Sequence, residues 1–494
     1  MKHLEIERRY LLFPCSVKRL LRRRRIPYDK IPMRQFYLVA GSDRVERFRQ
    51  EGERYVHTCK RGSGLTREEE EHEIDEALFR SALEKNRGGV IVKNRYVFVY
   101  EGRRYELDAF KGPLKGLNIL EIEFPDTREA LAFRLPAFLQ RVVVTEVTEN
   151  PRFTNGALSR SMRIPAIETD LRSLLAAVER RKSFLKASTD VALTPYESGR
   201  HAVKALLYSL LKSVEANRTA ILAGDPDPER LHQLRVAMRK QRALLSQLSD
   251  LFVPEWAQAH KEALASLMRR TGPKRDLDVY LQQIDYYKSL LPPKYHGGID
   301  RLARYLKGRY DREASALKAF LLEETFSEEM AALRNFCTDE KAPGVSGEAE
   351  GPVVLPVKRA LKRRYRKILK KGAAIGPHSH AHAYHMLRIE IKKLRYMMEF
   401  FASLFEPDAY AELLKRVKKI QTVLGDHQDL DVQRRHLKEF AETQELHDAE
   451  SRHAIEALRR TMARLEEQKR QEFREMFGAF ATSRETFRRM ICHG

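Results

Sequence analysis

Two stretches of this chain are the same helix written twice. Leu231 to Arg242 reads LHQLRVAMRKQR, and Tyr384 to Arg395 reads YHMLRIEIKKLR. Their histidines, His232 and His385, stand 153 positions apart. A second pair of segments, TGPKRDLDVY and LGDHQDLDVQ, keeps the same offset: Gly272 and Gly425, Asp276 and Asp429, Asp278 and Asp431 are each separated by 153. Two unrelated motifs at one spacing mark a tandem duplication, so the repeat unit must be a structural unit that packs on its own copy. Apolar residues recur at helical spacing through RHAVKALLYSLLKSVEANRTAIL, ELLKRVKKIQTVL and IEALRRTMARLEEQKRQEFREM. Each copy is therefore expected to be a bundle of about four helices. The Pro/Gly-rich stretch at 341–356 serves as the joint between copies at 195–340 and 357–494, with a helix and linker over 161–194 ahead of them.

Within each copy one helix face is cationic. His232, Arg235, Arg239 and Arg242 follow one another at steps of 3, 4 and 3, as do His385, Arg388, Lys392 and Arg395. At about 100° per residue each set occupies one narrow arc. Like charges stacked this way repel, whereas an ordinary solvated face mixes signs. Pseudo-symmetry bringing the two stripes together would make a groove for a long, repetitive anion. The chain's net charge of +23 asks for such a partner.

Residues 1–160 have a different texture. Short segments alternate polar and apolar residues between Gly-rich turns, the pattern of a many-stranded antiparallel sheet. In LEIER the residues Glu5, Glu7 and Arg9 share one face, and in LEIEF Glu121 and Glu123 do. Arg47/Arg49, Glu71/Glu73 and Lys93/Arg95 repeat the spacing. A face carrying both signs is too polar to be a core, because buried charge is costly unless paired, but it suits a divalent cation and a phosphorylated substrate. Four cysteines without a C-x-x-C pair, an N-terminus with charges where a leader needs its apolar run, and no apolar stretch near ~20 residues point to a cytoplasmic protein without a membrane span. There is no Walker-type glycine loop and no aromatic–basic interleaving of the RNA-binding kind, so nucleic acid is the less favoured polyanion.

The paired histidine helices, each followed by an Asp-Leu-Asp-Val segment, resemble the CHAD family of helical, polyphosphate-binding domains over roughly 195–494. The resemblance implies that His232, Arg235, Arg239, Lys240 and Arg242 line a groove with His385, Arg388, Lys392, Lys393 and Arg395, joined by Lys358, Lys362 and Arg366 of VKRALKRRYRKILKK. The Asp-Leu-Asp segments are expected to position these cations. The strand half is similar to the CYTH family, or triphosphate tunnel metalloenzymes, through E-x-E-x-R at Glu5/Glu7/Arg9, RQFYL, the R-x-R pair, Lys60, EEEHEI, Asp108 in ELDAF, and LEIEF. That resemblance implies a closed antiparallel tunnel of about eight strands ahead of two duplicated four-helix bundles, an α+β multidomain chain. It also implies a metal-dependent triphosphatase using Mg²⁺ or Mn²⁺. Asp108, Glu121 and Glu123 would hold the catalytic metal, and Glu5 and Glu7 a second metal or a water. Arg9, Arg47, Arg49, Lys60, Lys93, Arg95 and Arg141 would grip substrate, with Glu146 an extra acid. Tripolyphosphate and long-chain polyphosphate are the implied ligands, with association to polyphosphate granules. Arg9 stands where the signature has Lys. Against this stand two alternatives: a non-catalytic polyphosphate-binding protein with a degenerate tunnel, and a thiamine-triphosphatase or adenylate-cyclase type of tunnel.

Overall fold

The computed structural model describes residues 6–40, 44–61, 68–167, 169–376, 378–443, 446 and 448–492. The chain divides into two compact units. One comprises Met1–Ile167 with Thr194–Glu197 and Arg488–Gly494, and the other Glu168–Leu193 with Ser198–Phe487.

The first unit is built on nine strands: β1 (Ile6–Leu12), β2 (Asp29–Ala40), β3 (Arg44–Glu51), β4 (Arg54–Arg61), β5 (Glu68–Ile74), β6 (Ile91–Tyr100), β7 (Arg103–Phe110), β8 (Asn118–Phe124) and β9 (Val143–Glu146). They form one sheet in the order β5-β4-β3-β2-β6-β7-β8-β1-β9, and every neighbouring pair is antiparallel. The expected closed tunnel of about eight strands is thus an open sheet of nine, since no ladder joins edges β5 and β9 among the described residues. The edges explain this. β9 is only four residues long, and β5 reads EEEEHEI, a run of like charge that discourages pairing. The back of the sheet is apolar. Tyr10, Leu12, Phe98, Tyr105, Leu107, Leu120 and Ile122 pack there against Leu20 and Leu21 of the helix Val17–Arg23 and against Phe138 and Leu139. Behind β2–β4, Phe36 and Phe48 stack with ring centroids 5.4 Å apart, and Phe79 of the helix Glu76–Lys85 meets Phe36 edge-on. The larger apolar clusters therefore lie on one side, and the period-two pattern sends the charged side chains to the other, where Leu11, Met33, Val56 and Ile91 are buried among them.

In the helical unit the duplication is visible in the element boundaries. Pro254 and Pro407 open corresponding helices 153 residues apart, as do His296 and Ala449. Proline at the first turn costs no hydrogen bond there and pre-sets the helical φ. In the second copy that helix runs unbroken from Pro407 to Ala441. In the first it stops at Arg270 and restarts at Gly272, because Pro273 lacks an N–H and obstructs the preceding turn. The two copies are not separate bundles. Leu277, Tyr280, Ile299, Leu302 and Leu306 of the first share one core with Leu430, Leu437, Ile455, Leu458 and Met462 of the second. The joint at 341–356 is packed rather than loose. Ala349, Val353 and Val354 are fully buried, and Val253 and Ser346 hydrogen-bond across to Gly344 and Leu251. Residues 181–193, expected as linker, form a strap on the bundle: Ala187 accepts from Lys240 Nζ at 2.9 Å and donates to Gln233 at 2.9 Å.

Candidate functional site

The sheet register gathers the charged residues of the first unit. Glu7 stands opposite Glu123, and Arg9 opposite Glu121, across β1 and β8. Glu106 opposes Glu121 across β7 and β8, and Arg95 opposes Asp108 across β6 and β7. The same face continues through Lys93 beside Met33, then Gln35 and Tyr37 beside Arg49 and Arg47, then Thr58 beside Glu71. The sheet curls over this face. Tyr37 of β2 is near enough to Glu121 of β8 for the carboxylate to act on its hydroxyl, whose pKa burial raises first. Arg49 of β3 likewise feels Arg95 of β6. Burial and its neighbour Arg47 pull the Arg49 guanidinium down.

Arg95 is the hub. Its Nε and Nη2 donate to the two oxygens of Asp108 at 2.8 Å each, and it also pairs with Glu106 and Glu121. Lys93 donates to the same Asp108 carboxylate, and both of these side chains are 1% exposed. Burial alone would raise the Asp108 carboxyl, but Lys93 and Arg95 outweigh it and hold it down at about 2. Burial works against the Arg95 charge too, and Asp108, Glu121 and Glu106 together more than restore it.

The flanking cations are held more loosely. Arg9 donates to the Thr148 carbonyl at 2.7 Å and lies 3.4 Å from Glu7. Arg47 donates to Thr58 Oγ1 at 3.1 Å, and Arg49 pairs with Glu51 at 2.8 Å and Glu71 at 3.5 Å. The Nε atom of Arg47 is buried without a hydrogen-bond partner, while the buried Nε atoms of Arg9 and Arg49 face Glu7 at 3.4 Å and Glu51 at 2.8 Å as ion pairs. A buried donor without an acceptor is rare in folded proteins, and three partly buried guanidinium groups gathered on one face suit an anion. Glu5 lies outside the described residues, as does the side chain of Lys60. Arg141 is not on this face: it is exposed, just after the short helix Ala137–Gln140. Glu146 sits on the back of the sheet, 2.9 Å from Arg8. Glu106, which also receives Arg104 Nη2 at 2.7 Å, was missed by the sequence reading, although it lies two residues before Asp108 in the same strand. Among the described residues no three acidic, histidine or cysteine side chains form a ready-made metal cage.

In the helical unit the histidine helices Glu229–Gln247 and Ala381–Phe400 pack against each other, and parts of their stripes meet. Arg239, Lys240, Lys392 and Arg395 line one cavity of about 460 Å³. Burial foremost, then Arg388 and Arg239, lower the Lys392 ammonium to about 8. The Nε atoms of Arg239, Arg242 and Arg388 are buried without hydrogen-bond partners. His385 Nδ1 is 2.6 Å from Gln428, while His232 lies near Arg275, the equivalent position, and burial followed by that charge depresses its imidazole.

Three sequence expectations change here. Arg235 turns out of the stripe and donates at 2.6 Å to both the Met268 carbonyl and Thr271 Oγ1. The break before Pro273 leaves those helix-end acceptors open. Its counterpart Arg388, beside an unbroken helix, reaches Asp429 at 3.4 Å instead. Lys393 faces the helix Val354–Ala373, not the stripe. There Arg364, Lys367 and Lys371 converge on the buried Glu390. Lys358 is buried while Lys362 and Arg366 on the same helix are exposed, so these three do not share a surface. Of the Asp-Leu-Asp segments, expected to position the stripe cations, Asp429 reaches Arg388, whereas Asp278 pairs with Lys274 at 2.7 Å and Asp431 with Arg435 at 3.3 Å, cations of their own helices outside the stripes. His378, His380 and His382 are exposed.

Comparison with known proteins places both units. A protein-family model described as the CHAD domain matches residues 205–438. The first unit is 35% identical over 162 residues to a protein named inorganic triphosphatase from Nitrosomonas europaea, covering 32% of this chain and 98% of that protein. It is 33% identical over 159 residues to an inorganic triphosphatase of Acetivibrio thermocellus, covering 32% of this chain and 94% of the relative. The crystal structure of the CHAD domain from the plant Ricinus communis superposes with a TM-score of 0.50 at 24% identity, covering 60% of this chain and 98% of that one, which is a likeness of fold.

Proposed function

We propose, on the premise that this chain belongs to the CYTH family of inorganic triphosphatases through its first third and carries a CHAD domain behind it, that it hydrolyses inorganic triphosphate with a divalent cation and binds polyphosphate on its helical unit. The observation that carries the reading is the curled strand face, where the partly buried guanidinium groups of Arg9, Arg47 and Arg49 lie on the same face as the carboxylates of Glu7, Glu121 and Glu123.

Phosphoryl transfer asks a protein mainly for positioning and charge neutralisation. Arg47 and Arg49 offer planar forks to one end of a triphosphate and Arg9 to the other. Lys93, Asp108 and Arg95 form a locked pedestal beneath them. Glu7 and Glu123, register partners on one face, would hold the cation. Their hard oxygens suit Mg²⁺ or Mn²⁺, and Mg²⁺ in phosphate sites takes one or two carboxylates and completes its shell with phosphate oxygens and water. When bound, the cation supplies neutralisation of the phosphate oxygens as the terminal phosphorus accepts water and pyrophosphate departs.

The test is phosphate release from tripolyphosphate, thiamine triphosphate and ATP, with Mg²⁺, with Mn²⁺ and with chelator. Fastest release from tripolyphosphate, lost with chelator and in Glu123→Ala, is expected. No release by the unsubstituted protein from any of the three overturns the enzymatic reading. For the helical unit, retention of labelled polyphosphate that falls steeply with salt, and is not displaced by duplex DNA at equal phosphate, is expected.

A further inference from the structure

The cavity beside the seam has a lining that the duplication does not repeat, and that difference is informative. Besides the stripes, it is lined by Tyr396, Glu399, Tyr410, Lys418 and Gln421 of the second copy. A pseudo-symmetric crossing should offer an equivalent chamber on its other flank, lined by the residues 153 positions earlier. Those residues are Ala243, Ser246, Ala257, Ala265 and Met268. Every polar or aromatic wall has become small or apolar. The strap adds Lys186, Ser188 and Asp190 to this flank. Inside, Glu399 is bound by Arg395 at 2.6 Å and Lys240 at 3.0 Å, which fixes the wall. Arg239, Lys392 and Lys418 remain as cations directed at the space.

A linear polyphosphate has two kinds of phosphate. Internal ones carry a single negative charge. A terminal one has a second ionisation, at about pH 6 for a phosphate ester, and three oxygens free to accept. A chain lying side-on across the seam would gain from like surroundings on both flanks. An end needs only one chamber, with extra positive charge and walls where the chain stops.

We infer that this cavity seats the free end of a linear polyphosphate, the terminal phosphate entering beside Lys392 and Lys418 while the following residues lie along the seam past Arg239. The inference rests on the polyphosphate-binding reading of the helical unit and adds to it a preference for chain ends.

The experiment is displacement of labelled long-chain polyphosphate from the full chain in chelator, so that hydrolysis is silent. Competitors are compared at equal total phosphate: linear tripolyphosphate, long linear chains, and cyclic trimetaphosphate, which has no ends. End-seating predicts that tripolyphosphate competes about tenfold better per phosphate than trimetaphosphate, the order expected for one additional charge-assisted contact. It also predicts that Lys418→Ala, a change at an exposed position, removes that difference while long chains still bind. If trimetaphosphate and long chains compete as well per phosphate as tripolyphosphate, the end-seating inference is overturned and side-on binding stands. A preference that survives in Lys418→Ala overturns the assignment to this cavity. Failure of the full chain to retain any labelled polyphosphate overturns both this inference and the reading beneath it.

Discussion

Arg239 and Lys392 hold the same position in the two copies, 153 residues apart, and meet across the seam as like charges. Lys392 bears the cost: burial first, then Arg388 and Arg239, bring its ammonium down to about 8. At about pH 7 it is mostly charged, and by about pH 9 mostly neutral. Affinity for polyphosphate should therefore fall across that interval, by about tenfold for one lost charged contact. A bound polyanion would draw the proton back, so binding near pH 8 should take up protons. Titration calorimetry in buffers of different ionisation heat measures that uptake, and Lys392→Met should abolish it.

The clamp on Asp108 should show in acid unfolding. Its carboxyl is held at about 2 instead of the usual 3.8. A depressed carboxyl contributes stability that is complete above the unfolded value and lost as the pH drops from about 4 towards 2. Asp108→Asn should flatten that part of the stability profile. It should also cost about 3–5 kcal/mol at neutral pH, because Lys93 is left buried with its carboxylate partner gone. Urea unfolding at several pH values tests both effects.

Glu106 should behave as a positioning residue. It touches Arg95 and Arg104 and sits opposite Glu121. Glu106→Gln is expected to lower kcat by about ten- to a hundredfold, the cost of a poorly aimed neighbouring group, with KM for tripolyphosphate changed much less. Arg141→Ala, at an exposed turn, should leave both constants unaltered.

Two adjacent lysines should separate binding from stability. Lys392→Ala should weaken polyphosphate retention, whereas Lys393→Ala should leave it close to unchanged, because Lys393 faces the Glu390 cluster. Glu390→Gln should do the opposite and cost about 3 kcal/mol by stranding Arg364, Lys367 and Lys371. The midpoint of thermal unfolding, read with the binding titration, distinguishes them.

The faces of the strands were legible in the sequence because period two leaves no freedom: once Ile122 and Phe124 are core, Glu121 and Glu123 cannot be. The duplication was legible because an exact offset recurs in two motifs. Tunnel closure was not, since it depends on whether two distant edges pair, and the charge run in β5 was read for its face and not for its edge. On the helix Val354–Ala373, spacing alone grouped Lys358, Lys362 and Arg366, but which side meets the core is decided by Val357, Leu361 and Ile368, and Lys358 goes down with them. Arg235 left its stripe for acceptors that exist only because Pro273 ends a helix 38 residues downstream. Glu106 was visible in ELDAF all along, overshadowed by the aspartate beside it.

One core runs through both halves of the duplication, so neither half is a complete folding unit. Had the halves remained separate polypeptides, pairing as twins, any side chain placed on one flank would have appeared on the other. Joining them end to end broke that constraint. Tyr396, Glu399, Tyr410 and Lys418 could arise without obliging their counterparts to follow, and a scaffold with near twofold symmetry acquired a direction.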